Sequence, residues 1–438
     1  MRGRNSVQRR IGAITAALAL MASASAVVLT TIASSPAGAS TTTVANTADD
    51  GTATSLRGVL DAAADGDVIN LVAGATYQLT HCVQQVDVGP AIVSSVGELR
   101  VDQPVTINGN GATIEQMCPG WRVIHAYASL TLNDLTVTGG TSNRSSAGGG
   151  GIRVDASILS ADVGAADTTT HLVIRNSSIV GNCTTSNGGG FKMNADGDVT
   201  IVNSTIANNQ SDNVGGGFSH SHTGDVLMVN STVTGNSSLD HGGVDVRNGD
   251  FTAVYSDIVG NTALVSSGDC GVGSGSVSQE DDPVAPAAAA AIANVYVFQN
   301  VDLHYKFNAF GTVVADPHNG LNCLVDTVSS GYNFADDVSC HFLDATDKQG
   351  SGAGFDPLLG SLAANGGPTQ TLLPQTGSPL IDAIPTAACS GGNTLATFAV
   401  TTDQRLLVRP DVVNQKCDIG SVEIQTEVPP VIQPTFTG

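Results

Sequence analysis

Through the middle of the chain, apolar and polar residues alternate in short runs, and the runs recur. "DVTIVNSTI" (198–206) alternates, Asn and Gly break it, and "GGGFKMN" (188–194) alternates again. Runs of β-forming residues bounded by Gly, Asn and Asp read as strands. Three segments align without gaps: "IRNSSIVGN" (174–182), "IVNSTIANN" (201–209) and "MVNSTVTGN" (228–236); a weaker fourth is "AVYSDIVGN" (253–261). Asn176, Asn203 and Asn230 are spaced by 27 residues, and Asn182, Asn209, Asn236 and Asn261 by 27, 27 and 25. "LTLNDLTVTGG" from Leu130 reads as an earlier copy.

A unit of this length with two or three strands cannot bury its apolar face alone, but stacked on copies of itself it forms a continuous core. The expected fold is therefore all-β, a right-handed parallel β-helix. Each rung pairs with the next about 4.8 Å away, and asparagines at equivalent corners can form ladders. "SNGGGFKMN" (186–194) looks like a phosphate loop, but equivalent glycine runs start at Gly188, Gly215 and Gly242. The position that carries Lys192 reads Arg153, Ser219 and Asp245 in other units. A nucleotide site does not repeat with its charge reversed, so the glycines are rung corners.

The ends differ from the middle. Leu56, Val59, Leu60 and Ala63 recur at helical spacing behind Ser55, a capping residue, and "VINL" and "TYQLT" follow as strands around Gly74. A short N-terminal capping helix and first rung are expected over 40–80, with β-helix repeats over 81–353. The stretch 267–293 breaks the repeat with Gly, Ser, acidic and Pro-Ala composition and reads as a loop insertion. Residues 354–424 form a C-terminal closing segment, and 425–438 a Pro-rich tail.

"SLRGVLDAAADGDVINLVAGATYQLT" resembles the CSLREAI-type N-terminal segment of secreted bacterial β-helix proteins. Thr54 stands where that motif has its cysteine. "FDPLLGSLAANGGPTQTLLPQTGSPLIDA" (355–383), "TDQR" (402–405) and "CDIGSVE" (417–423) resemble the closing part of choice-of-anchor Q proteins. The resemblance implies a pectin-lyase-like β-helix at or beyond the cell surface, with no defined activity attached.

Arg2, Arg4, Arg9 and Arg10 precede an uncharged run, and Ala37-Gly38-Ala39 fits a cleavage site, so residues 1–39 read as a signal peptide; an uncleaved anchor is the alternative. The formal charge of the chain is −22, and beyond residue 39 there are 13 basic and 39 acidic residues. This excess argues against a nucleic-acid partner and against association of the mature form with anionic membranes. The chain has eight cysteines, Cys82, Cys118, Cys183, Cys270, Cys323, Cys340, Cys389 and Cys417, an even number that suits disulfides in an exported chain. Sequential pairing is the expected connectivity.

β-Helix enzymes that act on acidic polysaccharides need carboxylates for calcium with a basic residue, or a pair of acids. Taking Phe191 as inward places Arg153, Lys192, Ser219 and Asp245 in one outward column and Asp155, Asn194, Ser221 and Arg247 in the next. Arg153, Lys192, Asp245 and Arg247 are the candidate catalytic residues, although a face of cross-rung ion pairs fits equally. His220 is expected inward with His222, which disfavours zinc; no cofactor is required, and calcium is the one cation the acidic surface suggests. The expected function is a secreted or cell-surface, monomeric structural, adhesive or glycan-binding protein, with a polysaccharide lyase or glycoside hydrolase as the alternative.

Overall fold

A computed structural model describes residues 39–82, 97–143, 148–156, 169–263, 270, 293–298 and 304–426. The expected signal peptide, insertion and tail lie outside these residues except for Ala39, Cys270, Ala293, Gln425 and Thr426. The fold is a parallel β-helix. Strands at equivalent positions of successive rungs pair in parallel: Leu172–Arg175, Val199–Val202, Val226–Val229 and Phe251–Val254 on a first face; Ser178–Val180, Thr205–Ala207, Thr232–Thr234 and Asp257–Val259 on a second. A third face is an eight-stranded sheet running from Leu99–Val101 to Leu321–Leu324.

The repeat holds because stacking satisfies every rung in the same way. Ile174, Ile201, Met228 and Ala253 lie inward at paired positions of the first face, and Ile179, Ile206, Val233 and Ile258 do so on the second. Phe191 stacks on Phe218 at 4.7 Å between ring centroids, and Phe251 on Phe307 at 5.1 Å. Between the first two faces the chain turns through a left-handed residue. Asn176, Asn203 and Asn230 have φ of 49°, 51° and 47°, and Tyr255 takes the same turn at 49°. Asparagine tolerates this conformation better than most side chains.

Beyond the second face a buried ladder runs through the rungs. Asn182, Asn209, Asn236 and Asn261 each donate from Nδ2 to Oδ1 of the next, ending on Asn294, at 2.7–3.1 Å. The same Oδ1 atoms of Asn209, Asn236 and Asn261 accept the backbone N–H of the preceding ladder residue. At the glycine corner, Gly188 and Gly215 have φ of 73° and 65°, and a Cβ there would lie 2.2–2.3 Å from the carbonyl oxygen of Phe191 or Phe218. Glycine is thus dictated by turn and packing together.

The N-terminal helix spans Leu56–Asp61, with the Ser55 Oγ accepting from the Gly58 N–H. It is one turn shorter than the apolar spacing suggests. An unanticipated strand, Thr41–Val44, precedes it and pairs with Asp67–Leu71, so the helix is inserted within the first rung. All four disulfides join sequential cysteines: Cys82–Cys118, Cys183–Cys270, Cys323–Cys340 and Cys389–Cys417. The last strand of the third face, Leu321–Leu324, is closed off by side chains: Asp337 Oδ2 accepts the Asn322 N–H and Ser339 Oγ the Cys323 N–H. Groups so occupied cannot template a further strand.

The segment from Asp356 to Glu423 does not sit on the end of the solenoid. It folds back as a brace along the second face. Thr205 Oγ1 donates to the Gln370 carbonyl (2.6 Å), Asn230 Nδ2 to the Thr402 carbonyl (2.7 Å) and Thr232 Oγ1 to Gln404 Oε1 (2.7 Å). Leu380, Ile384, Ala396 and Ile419 of the brace pack with Val229, Val254, Tyr255 and Phe310 in a second core.

Candidate functional site

The third face carries a network of polar and charged side chains facing away from the solenoid core. Register places Arg100, His125, Arg153, Lys192, Ser219, Asp245, Tyr296 and Leu324 in one outward column, each beside the next. Arg153, Lys192, Ser219 and Asp245 are therefore neighbours, as the alternation implies. The second column pairs Asp155 with Asn194 and goes no further: the next pairing ends at Met193 with His220, and the one after it shifts register between His220 and Thr223. The shift also separates the two histidines. His220 is fully buried with Nε2 2.9 Å from the Gly197 carbonyl oxygen, and burial pushes its pKa down; His222 is exposed.

Two carboxylates organise the column. Asp155 accepts from His125 Nε2, Arg153 Nε and Asn194 Nδ2, each at 2.7 Å. Burial alone would raise its pKa, but these hydrogen bonds and the Arg153 charge outweigh it and hold the carboxyl well below the usual range. His125 Nδ1 lies 2.9 Å from Glu98 Oε1, and Arg122 Nε lies 3.3 Å from the other Glu98 oxygen. Tyr127 packs on His125 with centroids 4.2 Å apart, and the Arg100 guanidinium sits 4.6 Å above the Tyr127 ring.

Asp245, three rungs further on, accepts from Ser219 Oγ at 2.9 Å and Arg247 Nε at 3.0 Å, and its Oδ1 lies 3.0 Å from His241 Nδ1. Its burial likewise favours the neutral form, and Arg247 and His241 reverse that, keeping it ionised. The His241 ring stacks on Tyr296 at 4.0 Å.

The column is sunk rather than open. Ser219 and Asp245 are fully buried and Lys192 is 6% exposed, its stem lying against Gly148 and Gly188. Long side chains flank the short ones, so Arg100, Arg153 and Arg247, with side chains 20%, 12% and 17% exposed, present the accessible charge. Asp155 and Asp245 stand about 14 Å apart along the stack, at three strand spacings. A glycosidase pair needs about 5–9.5 Å. Glu98 is nearer, but it and Asp155 are both committed to His125 between them. Asp240, at the margin of the face, has its pKa pushed up by burial. Among the described residues, no group of three or more His, Cys, Asp and Glu side chains is placed to hold a metal ion.

Glu98, Arg122, His125, Tyr127 and Tyr296 were not legible as site residues. They lie on rungs without the glycine corner, where the repeat gives no register. His241 was visible, but as a corner residue. No protein-family model matches the chain, and no curated protein or solved structure is significantly similar to it.

Proposed function

We propose that this protein is a secreted or cell-surface β-helix whose third face binds acidic glycans without cleaving them. The observation that carries this reading is the distribution of charge. Five basic residues, Arg100, Arg122, Arg153, Lys192 and Arg247, share the face with five acidic ones, Glu98, Asp102, Asp155, Asp240 and Asp245, which leaves 8 basic against 34 acidic residues in the rest of the chain beyond residue 39. The scarcest charge is concentrated on one ordered sheet. The column supplies fixed cations and hydrogen-bond donors, while its central carboxylates are consumed by His125, Arg153, His241 and Arg247. Disulfides persist in oxidising compartments, which supports export, as does the resemblance of both chain ends to secreted β-helix proteins.

A lyase or hydrolase of acidic polysaccharides is the second reading, and Asp240 favours it, a carboxyl raised by burial beside the Asp245-held His241. Incubation with polygalacturonate and alginate, with and without calcium, separates the two. The binding reading expects retention of polymer with no unsaturated product and no new reducing ends. Replacing Arg153 and Arg247 by alanine should weaken retention about tenfold or more, since hydrogen bonds to charged groups contribute about 1.5–3 kcal/mol. Turnover that is lost in Asp240→Asn would establish the enzyme instead.

A further inference from the structure

At the C-terminal end of the column the third face runs into a cavity of about 660 Å³. Its walls include Tyr296 and Leu324, the last two column residues, together with Leu321, Val338, Asp326 and Ser339. The volume is that of a small-ligand site, and largely apolar walls with a few fixed polar groups are the usual make-up of one. We propose that this cavity is a subsite for an uncharged sugar ring, placed to take the neutral end of a glycan that lies along the column. The assignment rests on the glycan-binding reading of the face.

Three observations select this occupant. First, the cavity is continuous with the column through Tyr296, whose ring is held parallel to His241 and also lines the cavity. An aromatic ring fixed in this way offers a wall for the C–H face of a sugar. Second, no Lys or Arg contributes to the lining, whereas Asp326 and Asp337 do. An anionic unit that suits Arg153 would be repelled here, and Asp326 offers a carboxylate acceptor for hydroxyl donors, while Asp337 already accepts from Asn322 and Ser339. Third, an extended peptide or a second copy of the sheet is disfavoured, because the Asn322 and Cys323 N–H groups of the edge strand are already held by Asp337 and Ser339. The remaining attraction is apolar: Leu321 is 46% and Val338 62% exposed, more than a finished surface needs.

The test uses the full chain and neutral hexasaccharides of glucose, mannose, galactose and xylose, measured by calorimetry, with polygalacturonate in parallel. At least one neutral saccharide should bind, and Val338→Arg, a substitution at an exposed wall position, should weaken it about tenfold or more. Arg153→Ala should weaken polygalacturonate more than it weakens the neutral saccharide. Tyr296→Ala should weaken both, with unchanged circular dichroism confirming its fold. Binding of none of the four saccharides overturns the subsite. So does neutral-saccharide binding that Val338→Arg leaves intact, or displacement of the bound sugar by an apolar peptide. If polygalacturonate fails to bind while a neutral saccharide binds and Val338→Arg abolishes it, the acidic-glycan reading falls and the cavity stands.

Discussion

Asparagine has two different tasks in this solenoid. Asn203 adopts φ of 51° at a half-buried corner, where its Nδ2 donates to Asn176 Oδ1 and its Oδ1 accepts from Asn230 Nδ2 within reach of water. Asn236 is fully buried: its Oδ1 accepts from the backbone and side chain of Asn209, and its Nδ2 donates to Asn261 and to the Ile206 carbonyl. Alanine at 236 strands several of these groups, each at a cost of about 1–3 kcal/mol. Asn236→Ala should therefore destabilise by about 3 kcal/mol or more, whereas Asn203→Gly should cost only about 1 kcal/mol, because glycine accepts the left-handed turn and water takes over the two half-buried side-chain hydrogen bonds. Denaturant midpoints of the two variants check this; equal losses would show that the buried ladder has no special role.

Among the elements, the brace has the most unusual electrostatics. Asp257 of the solenoid accepts from Ser421 Oγ, and Asp418 and Glu423 of the brace crowd around Arg409, which also lies 4.0 Å above the Tyr255 ring. Burial raises Asp257 and Asp418 to about 6 and Glu423 to about 7. Each carboxyl is thus more easily protonated in the folded chain than in the unfolded one, where it titrates near 4. Between about pH 4 and 7 the folded state binds more protons, so stability falls as pH rises through this window. The melting temperature should be higher at pH 5 than at pH 8, and Asp257→Asn should reduce that difference. A melting temperature that rises from pH 5 to pH 8 would contradict the assignment. The Cys389–Cys417 bond fastens the same element, and Cys389→Ser with Cys417→Ser should cost about 2–4 kcal/mol by the usual range for a disulfide, read as a lower thermal midpoint.

The solenoid was legible because its contacts repeat: a residue meets its equivalent 25–27 positions away, and the spacing of Asn182, Asn209 and Asn236 records that contact directly. The brace was not, because Gln404 meets Ser204 and Thr205 across 200 and 199 residues with no repeated signature. The column falls between the two. Alternation fixed the direction of Lys192 and Asp245, but their burial depends on Arg247, His241 and the Gly148 corner, which alternation does not describe.

For the whole molecule, a charge-paired face in an acid-rich protein sets how a polyanion is held. The favourable field is local and the protein's net charge is repulsive. Affinity for polygalacturonate should then have a weak optimum in salt: moderate salt screens the distant acidic surface, and salt near 1 M, where screening acts within about 3 Å, weakens the contacts to Arg153 and Arg247. Retention on immobilised polymer across a salt series checks this, and salt-independent retention would point to apolar binding alone.

The brace also bears on how this gene can change. Repeated units of this kind arise and are lost by duplication and deletion, and a free solenoid accommodates one unit more or fewer by growing or shortening. Here Gln370 meets one rung, Thr402 the next, and Ser421 the one after, each at a fixed side chain. A duplicated or lost unit between Thr205 and Asp257 would slide every later partner out of reach at once. The brace acts as a gauge on copy number, confining neutral length variation to rungs it does not touch.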